Sequence, residues 1–90
     1  MIPEDLYKKL LHIFGTSGIK KDCEQEMEKL NAYREAIDNF GSYDKFDAYW
    51  VLDGIWGTIQ DHKTMAEEYQ KLYDELNKKR HEKWGDDCEP

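Results

Sequence analysis

Residues 46–59 read Phe-Asp-Ala-Tyr-Trp-Val-Leu-Asp-Gly-Ile-Trp-Gly-Thr-Ile and hold the densest run of large apolar side chains in the chain. Whatever the fold, it must be built to cover them. As a helix, the stretch places Ala48, Tyr49, Leu52, Ile55, Trp56 and Ile59 on one face at the i, i+3, i+4, i+7 spacing, and leaves Phe46 and Trp50 on a neighbouring face. That surface is wider than one partner helix buries. The rival local reading is a hairpin at 48–59, because Asp53-Gly54 between aromatic and β-branched arms has the look of a type I′ turn. The helix is preferred. An isolated hairpin is marginal, no other segment reads as a strand, and the arms do not alternate polar with apolar. Two interior glycines cost a helix about 1 kcal/mol each relative to alanine, so a close helix neighbour is expected at Gly54 and Gly57.

The flanking segments supply partners. Pro3 followed by Glu4 and Asp5 suits a first helical turn, and Leu6, Leu10, Ile13 and Phe14 make a short apolar stripe with Leu11 beside it. Gly15-Thr16-Ser17-Gly18 is a stop and turn signal. A second helix is expected over 19–40, where Ile19, Cys23, Met27, Leu30, Tyr33, Ile37 and Phe40 recur every three or four residues. So narrow a stripe resembles a coiled-coil seam, but in a domain this small an intramolecular bundle face explains it more simply. Gly41 ends this helix, and Ser42 can cap the next. Thr64-Met65-Ala66-Glu67 has capping-box spacing and opens a last helix, with Met65, Tyr69, Leu72, Tyr73, Leu76 and Trp84 inward. The alternative is one continuous helix carried through His62 and Ala66.

The expectation is therefore an all-α, small four-helix bundle: a short first helix and three longer ones in one domain over 1–84, followed by a disordered acidic tail at 85–90. Ninety residues support one modest core. No apolar run approaches the roughly 20 residues of a membrane span, and no secretory signal pattern opens the chain, so the expected location is cytoplasmic and no membrane contact is expected. The net charge is −7, and it is uneven: residues 22–61 carry ten acids against three bases. That field repels nucleic acid and draws in a basic protein surface.

Chemistry-bearing motifs are sparse. Cys23, Cys88, His12, His62 and His81 fall at no metal-ligand spacing, so no metal or cofactor is expected. Cys23 lies on the apolar stripe of the second helix, and a Cys23–Cys88 disulfide would have to join opposite ends of two parallel helices. No nucleophile elbow or phosphate-cradling loop is present. Asp53 with His62 is the one pair that resembles an acid-base couple, and a bundle this small has little room for a substrate pocket of a few hundred Å³. Lys78-Lys79-Arg80-His81, Lys83 and Trp84 would make a nucleic-acid contact, but at a pI near 4.9 they read more simply as a basic helix end.

The excess of aromatics remains. Tyr43, Phe46 and Trp50 are the candidates for a face the bundle cannot cover, rimmed by Asp44, Asp47 and Asp53. The expected function is that of a small acidic, non-catalytic inhibitor or regulator that presents this surface to a basic protein, including by mimicry of nucleic-acid charge. The alternative is a structural homo-oligomer, a homodimer closed by the same aromatic face.

Overall fold

Pro3 presets the backbone for a first helical turn, and the chain enters α1 (Glu4–Gly15) directly after it, the Tyr7 N–H donating to the Pro3 carbonyl at 2.8 Å. The computed structural model describes residues 2–15, 23–61 and 66–89, excepting the side chains at 14–15, 23–25 and 61. Three further helices follow: α2 (Cys23–Asp38), α3 (Lys45–Asp61) and α4 (Ala66–Trp84). Two 3-10 turns, Phe40–Ser42 and Gly85–Asp87, complete the order, and there is no strand among the described residues. The chain is a small all-α bundle, and α3 runs unbroken through Asp53 and Gly54 where the hairpin would have turned. The turn at 16–18, Ile19, His62, Met65 and the Thr64 capping box lie outside the described residues.

Asp44, and not Ser42, caps α3: its Oδ1 accepts the Asp47 N–H at 2.8 Å, while the Ser42 hydroxyl turns back to the Asn39 carbonyl at 3.0 Å. α2 stops at Asp38 because the chain tightens into the 3-10 turn that buries Phe40. Phe40 then meets Trp84 edge-on with ring centres 5.5 Å apart, and at the other end of the same helices the Tyr69 hydroxyl donates to Glu26 Oε2 at 2.7 Å. α2 and α4 are thus parallel neighbours. Lys45, at the start of α3, pairs with Asp87 beyond the end of α4 at 2.6 Å, and Lys83 Nζ donates to the Tyr43 carbonyl at 2.9 Å. α3 and α4 are therefore antiparallel, two separate helices and not one continuous helix.

The core draws Leu6, Leu10 and Ile13 from α1, and Leu30, Ala32, Tyr33, Ala36 and Ile37 from α2. α3 contributes Ala48, Val51, Leu52 and Ile55, and α4 contributes Tyr69, Leu72 and Leu76. At its centre the Tyr33 ring stands edge-on to Tyr69 at 6.0 Å, and its hydroxyl lies 2.6 Å from Thr58 Oγ1. Thr58 Oγ1 donates to the Gly54 carbonyl at 3.0 Å, and the same carbonyl lies 3.3 Å from the Tyr33 hydroxyl. α3 is rotated relative to the expected inner face: Val51 and Thr58 point in, whereas Tyr49 and Trp56 point out. Met27, expected on the seam of α2, is exposed as well.

Gly57 lies on this outward side, and a Cβ built there meets nothing within 4 Å, which corrects the expectation of a close helix neighbour at this glycine. Gly57→Ala is accordingly expected to stabilise the isolated chain by about 1 kcal/mol, read as a higher urea midpoint.

Residues 85–89 correct the expectation of a disordered tail. Gly85 takes φ +63°, a left-handed conformation that suits glycine, and turns the chain back onto α4. The physical reason is Arg80, which is 1% exposed and needs acceptors. It donates to the Cys88 carbonyl at 3.1 Å, Glu89 Oε1 at 3.0 Å and Asn77 Oδ1 at 3.0 Å, with its guanidinium 5.6 Å from the centre of the Tyr49 ring. Cys88 is a free, buried thiol 3.8 Å from the His81 ring nitrogens.

Candidate functional site

Starts of α1 and α3 and ends of α2 and α4 meet at one end of the bundle, and there the sequence concentrates carboxylates: Glu4, Asp5, Glu35, Asp38, Asp44 and Asp47. Against the side of α3 at this end lies α1, and Tyr7 stacks on Trp50 with ring centres 5.2 Å apart and planes 25° from parallel. Their spacing leaves a solvent-open groove of about 620 Å³, with Ile2, Pro3 and Tyr7 on one wall and Phe46 and Trp50 on the other. Among the described residues, Glu4 and Asp47 also line it and no basic side chain does. Its size lies within the range of small-ligand pockets, more than the little room expected of a bundle this small.

From the groove the outward face of α3 continues through Tyr49, Asp53 and Trp56. Helical geometry sets these residues, with Phe46 and Trp50, on one side of the cylinder, opposite Ala48, Val51, Leu52 and Ile55. Phe46 is 67% exposed, Trp56 53% and Tyr49 39%. Large aromatics so placed on a small bundle are unusual, because burying them inside is the default.

The six residues expected at the surface site thus divide. Phe46, Asp47 and Trp50 come together in the groove. Asp53 is exposed on the same side of α3, beyond the groove. Asp44 is exposed but serves as the α3 cap. Tyr43 is the correction: it is 2% exposed, held under Phe40, whose ring centre is 6.3 Å away, because the turn between α2 and α3 folds it into the core. Tyr7, Ile2, Pro3 and Glu4 were not anticipated, although Tyr7 and Leu11, four residues apart and off the α1 stripe, carry the signal of a second apolar edge.

Electrostatics at this end are legible through Tyr43. Its phenol is pushed up to about 12 by burial first, then by the negative fields of Asp47 and Glu35, which places both carboxylates near one point. Burial, the hydrogen bond to Glu26 and the charge of Glu26 also raise Tyr69. Both phenols hold their protons more tightly folded than unfolded, where the ordinary value is about 10. Their contribution to stability is therefore full below about pH 10 and is lost as pH rises through their folded values. Helix content followed by circular dichroism is expected to stay level to about pH 10 and fall above it, with Tyr43→Phe making the fall shallower.

Elsewhere a second groove of about 720 Å³ separates α1 from α2, but its charges are mixed and Lys9 bridges it to Glu35 at 3.3 Å. Lys83, from the basic run, sits over Trp84 at 4.8 Å and Phe40 at 5.3 Å, so it and the buried Arg80 serve the fold. Among the described residues no cluster of three or more histidine, cysteine or acidic side chains has the arrangement to hold a metal ion, and no helix is long and apolar enough to cross a membrane. His62, the other half of the imagined acid-base pair with Asp53, lies outside the described residues. Compared with protein-family models, curated proteins and solved structures, the chain matches none.

Proposed function

We propose that this chain is a small acidic, non-catalytic binding protein that inhibits or regulates a basic protein partner, which it meets with the outward face of α3 and the adjoining groove. The observation that carries the reading is the exposure of Phe46, Tyr49 and Trp56 along one side of one helix. Aromatic anchors ringed by polar groups are the usual anatomy of a protein interface. Asp53 on that face and Asp47 in the adjoining groove, within a chain of net charge −7, set the sign of the partner.

The described acids of residues 22–61 favour this over mimicry of a nucleic acid by one continuous acidic surface. Glu35, Asp38, Asp44 and Asp47 gather at one end of the bundle, Glu26 turns in to bond Tyr69, and Asp53 stands beyond the groove. A homodimer is also less favoured. In a two-fold pairing, each face meets its own copy, so Asp53 near the middle of the stripe is brought toward a second carboxylate, and two chains of charge −7 repel at long range.

The test is capture of binding proteins on the immobilised chain, with elution in steps of rising salt and the mass of the free chain measured alongside. A basic protein released at moderate salt, and no longer retained by the Asp47→Asn, Asp53→Asn double variant, is the expected result. A chain that retains no basic protein, yet has a dimer mass insensitive to salt, overturns the reading in favour of the homo-oligomer.

A further inference from the structure

We infer that residues 85–89 form a strap that opens and closes as a unit apart from the helical bundle, and that its position decides whether Arg80 is buried or displayed beside the outward face of α3. Gly85 is the hinge: its φ of +63° turns the chain back onto α4, and the 3-10 turn that it opens has no side-chain cap at its start. Of the five residues only Cys88 is buried. Among the described residues the apolar core is drawn from the four helices and the turn at 40–43 and takes nothing from the strap. Lifting the strap therefore leaves the core whole.

Two ion pairs latch it, Lys45 to Asp87 at 2.6 Å and Arg80 to Glu89 at 3.0 Å, and the bond from Arg80 to the Cys88 carbonyl adds a third hold. Both acids stand in water, Asp87 being 86% and Glu89 63% exposed, so these latches are weak and screened by salt. Against them works the cost of keeping a guanidinium out of water. Arg80 is 1% exposed, and its Nε has no hydrogen-bond acceptor among the described residues. Opening returns the guanidinium to water, while Asn77 and the Tyr49 ring, both on helices, stay beside it. Weak latches, one small buried side chain and a relieved desolvation cost set this segment at the low end of the range of opening energies within one fold. Opening also parts Lys45 from Asp87. Two cations, Arg80 against Tyr49 and Lys45 one residue before Phe46, then stand without the acids that the closed strap holds to them. The strap thus sets the charge displayed at this edge of α3.

The test needs no partner. The full chain is treated with iodoacetamide for Cys88 and with phenylglyoxal for Arg80, each followed by peptide mass spectrometry, with the exposed Arg34 as reference and helix content read by circular dichroism. Gly85→Ala strains only the hinge, since a Cβ there meets nothing within 4 Å, and it leaves every charge in place. It is expected to speed modification of Cys88 and Arg80 together, by about fivefold or more, and to leave Arg34 unchanged. Gly85→Pro cannot adopt the positive φ and is expected to expose both residues fully with the helices intact. Gly41→Ala, at a glycine whose Cβ also meets nothing, is expected to change neither rate. In the unaltered chain both rates should rise about twofold or more between low and high salt and stay nearly flat in urea below the unfolding midpoint. Rates that climb with urea in step with global unfolding overturn the inference, because the strap then has no opening of its own. So does an Arg80 that stays protected while Cys88 reacts freely in Gly85→Pro, because something other than the strap then buries it.

Discussion

Tyr33→Ala is expected to cost about 3–5 kcal/mol, most of what a domain of this size possesses, so the variant should be largely unfolded. Tyr33 is fully buried where α2, α3 and α4 meet. Its ring packs edge-on to Tyr69, and its hydroxyl closes a small polar knot with Thr58 Oγ1 and the Gly54 carbonyl. Truncation removes the ring, leaves a cavity and unpairs α3 from α2 at once. Tyr33→Phe separates the two contributions: Thr58 keeps its own bond to Gly54 at 3.0 Å, so the expected cost is only about 1 kcal/mol. Urea unfolding followed by circular dichroism measures both. Equal losses in the two variants would show that the polar knot, and not packing, joins these helices.

The opposite behaviour is expected on the outward face. Phe46→Ala should change stability by no more than about 0.5 kcal/mol, because most of its side chain is exposed, and Trp56→Ala, about half packed, by about 1–2 kcal/mol. Each should nevertheless weaken partner binding by about 2 kcal/mol, roughly 30-fold, if it anchors the interface. Titration calorimetry with the captured partner, beside urea midpoints for each variant, reads the two effects independently. Trp50→Ala is a less clean probe, since its stack on Tyr7 also helps to seat α1.

Much of the fold was legible in the chain. The α2 stripe of Leu30, Tyr33 and Ile37 and the α4 stripe of Tyr69, Leu72 and Leu76 are buried where their periodicity put them. The orientation of α3 was not, for a physical reason: it is apolar almost all round, so helical spacing fits an inner face containing Tyr49 and Trp56 nearly as well as the observed one. Thr58, a polar residue, takes a place on the inner face with its Oγ1 2.6 Å from the Tyr33 hydroxyl, a contact that no pattern of apolar residues reveals.

The tail escaped notice for a related reason. Within Lys78-Lys79-Arg80-His81, nothing in the sequence distinguishes the one buried guanidinium from the exposed bases, yet that burial is what gives 85–89 a structure. At the site, Phe46 and Trp50 were readable as surplus aromatics on α3. Tyr7 and Pro3 were not, because the groove exists only once α1 lies against α3, and that docking is a tertiary fact. Tyr43 was misplaced because its neighbours are acidic and turn-forming, whereas the 3-10 turn folds its ring under Phe40.

The most direct measurement of the central claim, that the outward face of α3 is a binding surface, is site-specific photocrosslinking. A benzophenone amino acid is placed in turn at 46, 56 and, on the exposed side of α4, at 70. The account predicts crosslinks from 46 and 56 to the same basic protein, lost at high salt, and none from 70. Crosslinks to a second copy of the chain from 46 and 56, or equal crosslinking from all three positions, would contradict it.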